Sequence, residues 1–354
     1  MKLNCSVRCT ATFNIPQHDG APMSHESRTA VDRIRSPILG YLIEYPALVA
    51  VLTWLIVTAL FVFIAPETML QPDIWGNIFR QTALIGPAAI MVATLMIGGD
   101  FDMTIGANYA MSAMFFITIV NSGIPPSVGI LATLALGGLV GLMNGVLVTS
   151  TGIHSFIITL GGWFSIRGLL LLVFSGSARL EAEAGILEFF SYDFGSNFEA
   201  IILWMFLILA GALYLVHRTT FGNHLYAVGS DRDAARARGI RVTRVRIIAF
   251  VLTGAAAAFA SMMHVARFGS ARPVLQTELP LLAIAASVLG GCALFGGRGS
   301  PYAGFLGALT FGTFGAGLIA AGASSAWYQF FVGIVLVLAV IFNRYVERMR
   351  AEER

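Results

Sequence analysis

Two carboxylates, Asp100 and Asp102, stand in a stretch from Leu84 to Val120 that carries no other charge. An ionisable group at membrane depth marks an ion or substrate path by default, and it needs a partner or water. Here both are expected at an interface where water satisfies them, with Asp102 capping the helix that follows. Neither belongs to a hydrolytic constellation. An intramembrane aspartyl protease needs Gly-x-Gly-Asp and Tyr-Asp inside spans. Ile97-Gly98-Gly99-Asp100 lacks the first glycine, and Tyr192-Asp193 falls in a loop. His18, His25, His154, His217, His224 and His264 show no metal-ligand spacing. Lys2 is the single lysine against 21 arginines, so no Gly-Lys-Ser/Thr of a phosphate-binding loop exists. A process driven by ATP would need its ATPase on another chain. The chain is expected to be no enzyme and to hold no cofactor or metal of its own.

The longest polar segment between apolar runs, 217–246, has a different chemistry. Ser230 is placed to cap a helix of about two turns. Asp231 and Asp233 fall in its first turn and Arg236 and Arg238 in its last, as the helix dipole favours. Gly239 can end it. Asp231, Arg232, Asp233 and Arg236 offer charge, Ala234 and Ala235 offer a close-fitting surface, and Gly239-Ile240 closes the segment. A basic loop that only fixes topology is the alternative.

Polar and aromatic groups within apolar runs supply candidates for a path through the membrane: Asp102, Asn108, Asn144, Phe156, Thr159 and Trp163. Asn108 and Asn144 each need a partner, either another helix or a substrate hydroxyl. Phe156 and Trp163 can stack on a substrate ring, as can Phe164, although aromatics at this density more often face core or lipid. Arg167, the one charge in 156–174, is expected to pair with a carboxylate or to snorkel.

The elements that must position these groups are membrane spans. Hydrophobic residues make up 57% and charged residues 12% of 354, half the charge of a soluble domain. A span needs about 20 apolar residues. Ten are expected, near 47–64, 83–98, 104–121, 127–149, 156–174, 199–216, 247–267, 280–296, 301–322 and 327–342, surrounded by lipid. With the N-terminus inside, 17 of the 22 Lys and Arg lie on the cytoplasmic side and four (Arg80, Arg179, Arg267, Arg272) outside. The outer loop, 175–199, holds Glu181, Glu183, Glu188, Asp193 and Glu199 against Arg179. Residues 1–36 read as a flexible cytoplasmic tail, with Met23 an alternative start; 37–344 as the membrane domain; 345–354 as a cytoplasmic tail. Cys5, Cys9 and Cys292 suggest no disulfide framework. Glycines such as Gly141-x-x-x-Gly145 are expected to let helices approach closely.

Several stretches, each weak alone, together carry a resemblance. They are Thr220-Phe-Gly222, Tyr226-Ala-Val-Gly229, Ala234-Ala-Arg236 and Gly239-Ile240; Asp102-Met-Thr-Ile-Gly106; Gly141-Leu-Met-Asn-Gly145; Phe156-Ile-Ile-Thr-Leu-Gly161 with Arg167-Gly168; and Ala283-Ile-Ala-Ala286 through Gly290-Gly291 to Gly296-Gly-Arg-Gly-Ser300. In this order they resemble the permease subunits of bacterial ribose/xylose-type monosaccharide ABC importers. The resemblance implies an all-α polytopic protein of the inner membrane. It implies a coupling helix in 229–240 that docks in a cleft of an ATP-binding cassette subunit, which binds the ATP. It also implies a second permease chain, identical or paralogous, and a periplasmic sugar-binding protein, with a monosaccharide or polyol as cargo and no nucleic acid. Two departures stand out. Asp100 replaces a residue that is commonly small, and Pro280-Leu281-Leu282 replaces an acidic pair, with Glu278 two residues earlier, so the path is expected to be less polar. A branched-chain amino-acid permease and an ion-coupled secondary transporter remain the rival readings.

Overall fold

The computed structural model describes residues 46–181, 185, 190–324 and 326–351. The proposed tail at 1–36, the Met23 start, Cys5, Cys9, Glu183 and Glu188 lie outside the described residues. Ten helices occupy the ten expected places: α1 (Pro46–Ile64), α3 (Pro72–Ile97), α4 (Ile105–Asn121), α5 (Pro126–Thr151), α6 (Ser155–Val173), α7 (Ala200–Arg218), α10 (Val242–Phe268), α11 (Leu279–Leu289), α12 (Pro301–Ala320) and α13 (Ala326–Ala351). Among the described residues three shorter ones join them: α2 (Pro66–Met69), α8 (Thr220–Ser230) and α9 (Arg232–Ala237). Among the described residues, α3, α5, α6, α7, α10 and α12 are long and apolar enough to cross a membrane, and α1, α4, α11 and α13 contribute shorter apolar segments.

Two expected boundaries shift for physical reasons. The span placed at 83–98 belongs to a helix that begins at Pro72, more than two turns earlier. Arg80, inside this helix, is neutralised by Glu199 at 2.7 Å and bonded to Asn197 at 3.1 Å and to Asn77. Pro87 lies within this helix. The span placed at 280–296 stops at Leu289, and 290–300 is an irregular glycine-rich loop. Irregular backbone at membrane depth is tolerated only where protein or water satisfies it. The C-terminal segment expected as a tail from 345 is helical through Ala351.

The core is α3, buried continuously from Thr82 to Ile97 and packed against α7, α10, α11 and α12. Without a hydrophobic drive between helices in lipid, association rests on close fit. The crossing of α5 with α10 provides it. A Cβ on Gly137 would stand 2.6 Å from the Gly254 carbonyl oxygen and 2.5 Å from Ala258 Cβ. By contrast α6 buries only Ser155, Thr159, Ile166 and Leu170 and leaves an apolar face open.

The connections sort to two ends. At one end, 98–104, α8–α9 and 290–300 converge: Gly297 N–H donates to the Ile97 carbonyl (2.9 Å), and His217 Nε2 lies 3.0 Å from Ser300 Oγ. At the other, strand β1 (Ala178–Arg179) pairs antiparallel with β2 (Ser270–Ala271). Asn121 donates there to the Arg179 carbonyl (2.8 Å), and Glu199 faces Arg80 and, at 3.9 Å, Arg267.

Candidate functional site

α9 is a separate, capped element. Asp231, extended at φ −158°, accepts at Oδ1 from the N–H groups of Asp233 and Ala234, each at 2.9 Å. Ser230, expected as the cap, is instead the last residue of α8, where its hydroxyl donates back to the Tyr226 carbonyl. A carboxylate is the better cap at a helix N-terminus, because charge adds to the hydrogen bonds. At the other end Gly239 adopts φ +83°. Its N–H bonds the Arg236 carbonyl (2.9 Å) and the Ile240 N–H bonds the Ala235 carbonyl (3.1 Å), the paired closure that a left-handed glycine permits.

Asp231, Arg232, Asp233, Ala234 and Arg236 are exposed, as are Ala237 and Arg238. Arg236 pairs with Asp233 at 2.7 Å on that open surface. Ala235 does not share it. It is 3% exposed and packs in an apolar cluster that includes Leu225, Val242 and Val245. The expectation that Ala235 presents its methyl to a partner is therefore corrected: it seats α9 on its own chain, and Ala234 offers the small outward surface. Behind α9, Tyr226 donates its hydroxyl to the Gly299 carbonyl at 2.6 Å. Burial, with a smaller push from Cys292, raises this phenol to about 12, so it keeps its proton.

Asp100 and Asp102, expected at a wet interface, are 2% and 1% exposed. Asp100 accepts from Arg246 through both oxygens, Nε to Oδ2 at 2.6 Å and Nη2 to Oδ1 at 2.7 Å. Arg232 adds Nη2 at 3.3 Å to Oδ1 and 3.0 Å to the Gly99 carbonyl. A buried carboxylate requires this compensation. Desolvation lowers the Arg232 pKa, and Asp100 acts against that shift. Asp102 accepts at Oδ1 from the N–H of Thr104 (2.9 Å) and from its hydroxyl, so it orders the turn into α4 from just upstream. Asn144 donates to Thr104 Oγ1 at 2.7 Å and more weakly to Asp102 at 3.4 Å. Asp102 Oδ2 and Asn144 Oδ1 have no partner among the described residues.

The six residues expected along a path do not form one lining. Asn108 is fully buried and donates to the carbonyls of Gly137 (3.3 Å) and Gly254 (3.1 Å), bridging α4 to the α5–α10 crossing. Thr159 is fully buried and accepts from the Met103 N–H at 3.0 Å. With Asp102 and Asn144, these two hold helices together inside the chain. Phe156 is exposed on the open side of α6, whereas Trp163 is half-buried, packs against the core cluster and has a buried ring nitrogen. Arg167, expected to pair with a carboxylate or to snorkel, lies 5.1 Å over the Trp163 ring, a cation–π contact. Arg246 was counted in the sequence only as one more basic residue, and α8 was not anticipated. The signal available for both was their position, a basic residue in the first turns of a span and a helix-compatible run before Ser230.

Residues 74–340 match the family described as branched-chain amino acid transport system / permease component. The fructose import permease protein of Rhizobium meliloti is 30% identical over 282 residues, covering 77% of this chain and 78% of that protein. The ribose import permease protein of Escherichia coli K12 is 31% identical over 293 residues, 80% of this chain and 91% of the relative. The D-allose transport system permease protein of the same strain is 30% identical over 307 residues, 83% and 90%. No solved structure matches. A matched region that takes in α3 through most of α13, with the helices, the glycine crossing and the capped α9 all inside it, places the chain in this family of transport-system permease components, as a polytopic membrane protein.

Proposed function

We propose that the chain is the membrane subunit of an ATP-driven importer that carries a monosaccharide or related polyol by alternating access. The observation that carries this is α9: a helix capped at both ends, seated on its own chain by Ala235, that turns Asp233, Ala234 and Arg236 outward. It projects from the end where Arg218, Arg238, Arg241, Arg244 and Arg298 also gather, and basic residues concentrate on the cytoplasmic side. There it meets the cleft of an ATP-binding cassette subunit, which supplies ATP binding and hydrolysis. Both termini are cytoplasmic in this orientation. The open face of α6 meets lipid or a second permease chain, and a periplasmic binding protein delivers the cargo at the β1–β2 end. The names of the fructose, ribose and D-allose relatives support a sugar as cargo.

The test is Ala234→Arg, which puts a long cation on the outward face of α9 without entering the fold. The variant is expected to insert normally, yet to lose co-purification of the ATPase and uptake of sugar. Wild-type levels of both would overturn the coupling role of α9. The family description itself raises a second reading, a branched-chain amino acid as cargo. Uptake of labelled leucine but not ribose, fructose or allose by the reconstituted system would favour it.

A further inference from the structure

We propose that Arg232, Asp100 and Arg246 form an ionic relay by which movement of α9 reaches the transmembrane helices. This rests on the reading of α9 as the coupling helix. The three residues come from three elements. Arg232 opens α9, Asp100 follows the end of the central helix α3, and Arg246 stands in the first turns of α10. Asp100 has its two oxygens fixed by Arg246 at 2.6 and 2.7 Å, and Arg232 reaches the same Oδ1 at 3.3 Å and the neighbouring Gly99 carbonyl at 3.0 Å. The apolar seat of Ala235 can slide, because contact of methyl groups has no preferred direction. A guanidinium held on a carbonyl and a carboxylate has one. A shift of α9 therefore pulls on the end of α3 and, through Asp100, on the start of α10, which crosses α5 at Gly137 and Gly254.

The geometry also separates a relay from a structural tie. Asp100 keeps both bonds to Arg246 when Arg232 is removed, so no buried charge is left alone. The Arg232 side chain is 42% exposed and leaves no closed cavity. The folded state should thus survive Arg232→Ala while transmission does not.

The experiment uses the complete transporter, with its ATPase and binding protein, in liposomes, and reads sugar uptake and ATP hydrolysis together. Arg232→Ala is expected to retain the ATPase and hydrolyse ATP while uptake per ATP falls about 5- to 150-fold, the range of typical coupling between sites. Arg232→Lys, which keeps a donor and a charge, should recover most of that ratio. Arg244→Ala, which removes an exposed charge from the same end, should match the unmodified chain. An unchanged ratio in Arg232→Ala overturns the relay. So does a loss of thermal stability in Arg232→Ala beyond that of Arg244→Ala, since Arg232 would then be a structural tie. Loss of the ATPase by both Arg232 variants would make Arg232 a docking contact only. Failure of the unmodified chain to hold its ATPase would instead overturn the reading of α9 itself.

Discussion

Gly137 of α5 and Gly254 of α10 oppose each other so closely that a methyl group on either would overlap the carbonyl of the other. The obstacle is backbone, which cannot rotate away. Gly254→Ala is expected to force the helices apart and to cost about 1–3 kcal/mol, the usual range for overpacking. Gly138→Ala is the internal comparison, because its Cβ would meet Val251 Cγ1 at 3.7 Å, an ordinary contact. Thermal unfolding in detergent should show a lowered midpoint for the first and none for the second.

Asn108 tests whether buried polar groups in the spans serve packing or cargo. Its amide bridges the carbonyls of Gly137 and Gly254, and its Oδ1 accepts from Ser112 at 3.2 Å. Asn108→Leu is expected to destabilise by about 0.6–2 kcal/mol, as interhelical hydrogen bonds in membranes do. The KM for the transported sugar should stay within about twofold of the unmodified protein, on the same packing role. A raised KM at unchanged stability would return Asn108 to the substrate path.

Adjacent alanines of α9 should fail in different ways. Ala235→Arg would place a cation among Leu225, Val242 and Val245, a cost of several kcal/mol. It should reduce the amount of folded permease in the membrane, which Ala234→Arg should not. Gel-filtration yield of a fluorescent fusion separates the two. Equal yields would place Ala235 on the outward face.

The arrangement of charge predicts sidedness. On a background without Cys5, Cys9 and Cys292, a membrane-impermeant maleimide added to intact cells should label a cysteine at the exposed Glu181 and not one at the exposed Arg238. Labelling at Arg238 from outside would invert the orientation.

The acids of the outer loop, Glu181, Glu183, Glu188, Asp193 and Glu199 against Arg179, are expected to steer a binding protein that presents basic residues. Glu199 is engaged already by Arg80. Neutralising Glu181, Glu183 and Glu188 should therefore weaken stimulation by the binding protein, most at low salt where screening is least. An effect independent of ionic strength would remove the steering role.

Much of the architecture was legible because apolar length is a strong signal, and all ten helices fall where apolar runs stand. What failed was local polarity that tertiary contacts cancel. Asn77, Arg80 and Gln81 hid the first turns of α3, since only the distant Asn197 and Glu199 make Arg80 acceptable there. The stop of α11 at Leu289 was hidden because Gly290 to Gly297 is apolar enough to extend a span, and loop geometry there depends on Ile97. For α9, residue types foretold a short helix and its glycine stop. Choosing Asp231 over Ser230 as cap, and telling Ala235 from Ala234, required knowing that α8 runs to Ser230 and fixes the facing. The Asp100–Arg246 pair spans 146 residues, and no local pattern announces such a pairing.

The seal between Ile97 and Gly297 joins residues about 200 positions apart. At about 5–20 residues per second, roughly 10–40 s of synthesis separates them. Through that interval the nascent protein can cross the bilayer and pair its early helices, but the backbone carbonyl that ends α3 has no mate. Closure of this end is thus one of the last events in biogenesis. The contact that closes this end exists first as an unfinished seam, and Gly297 is its final stitch.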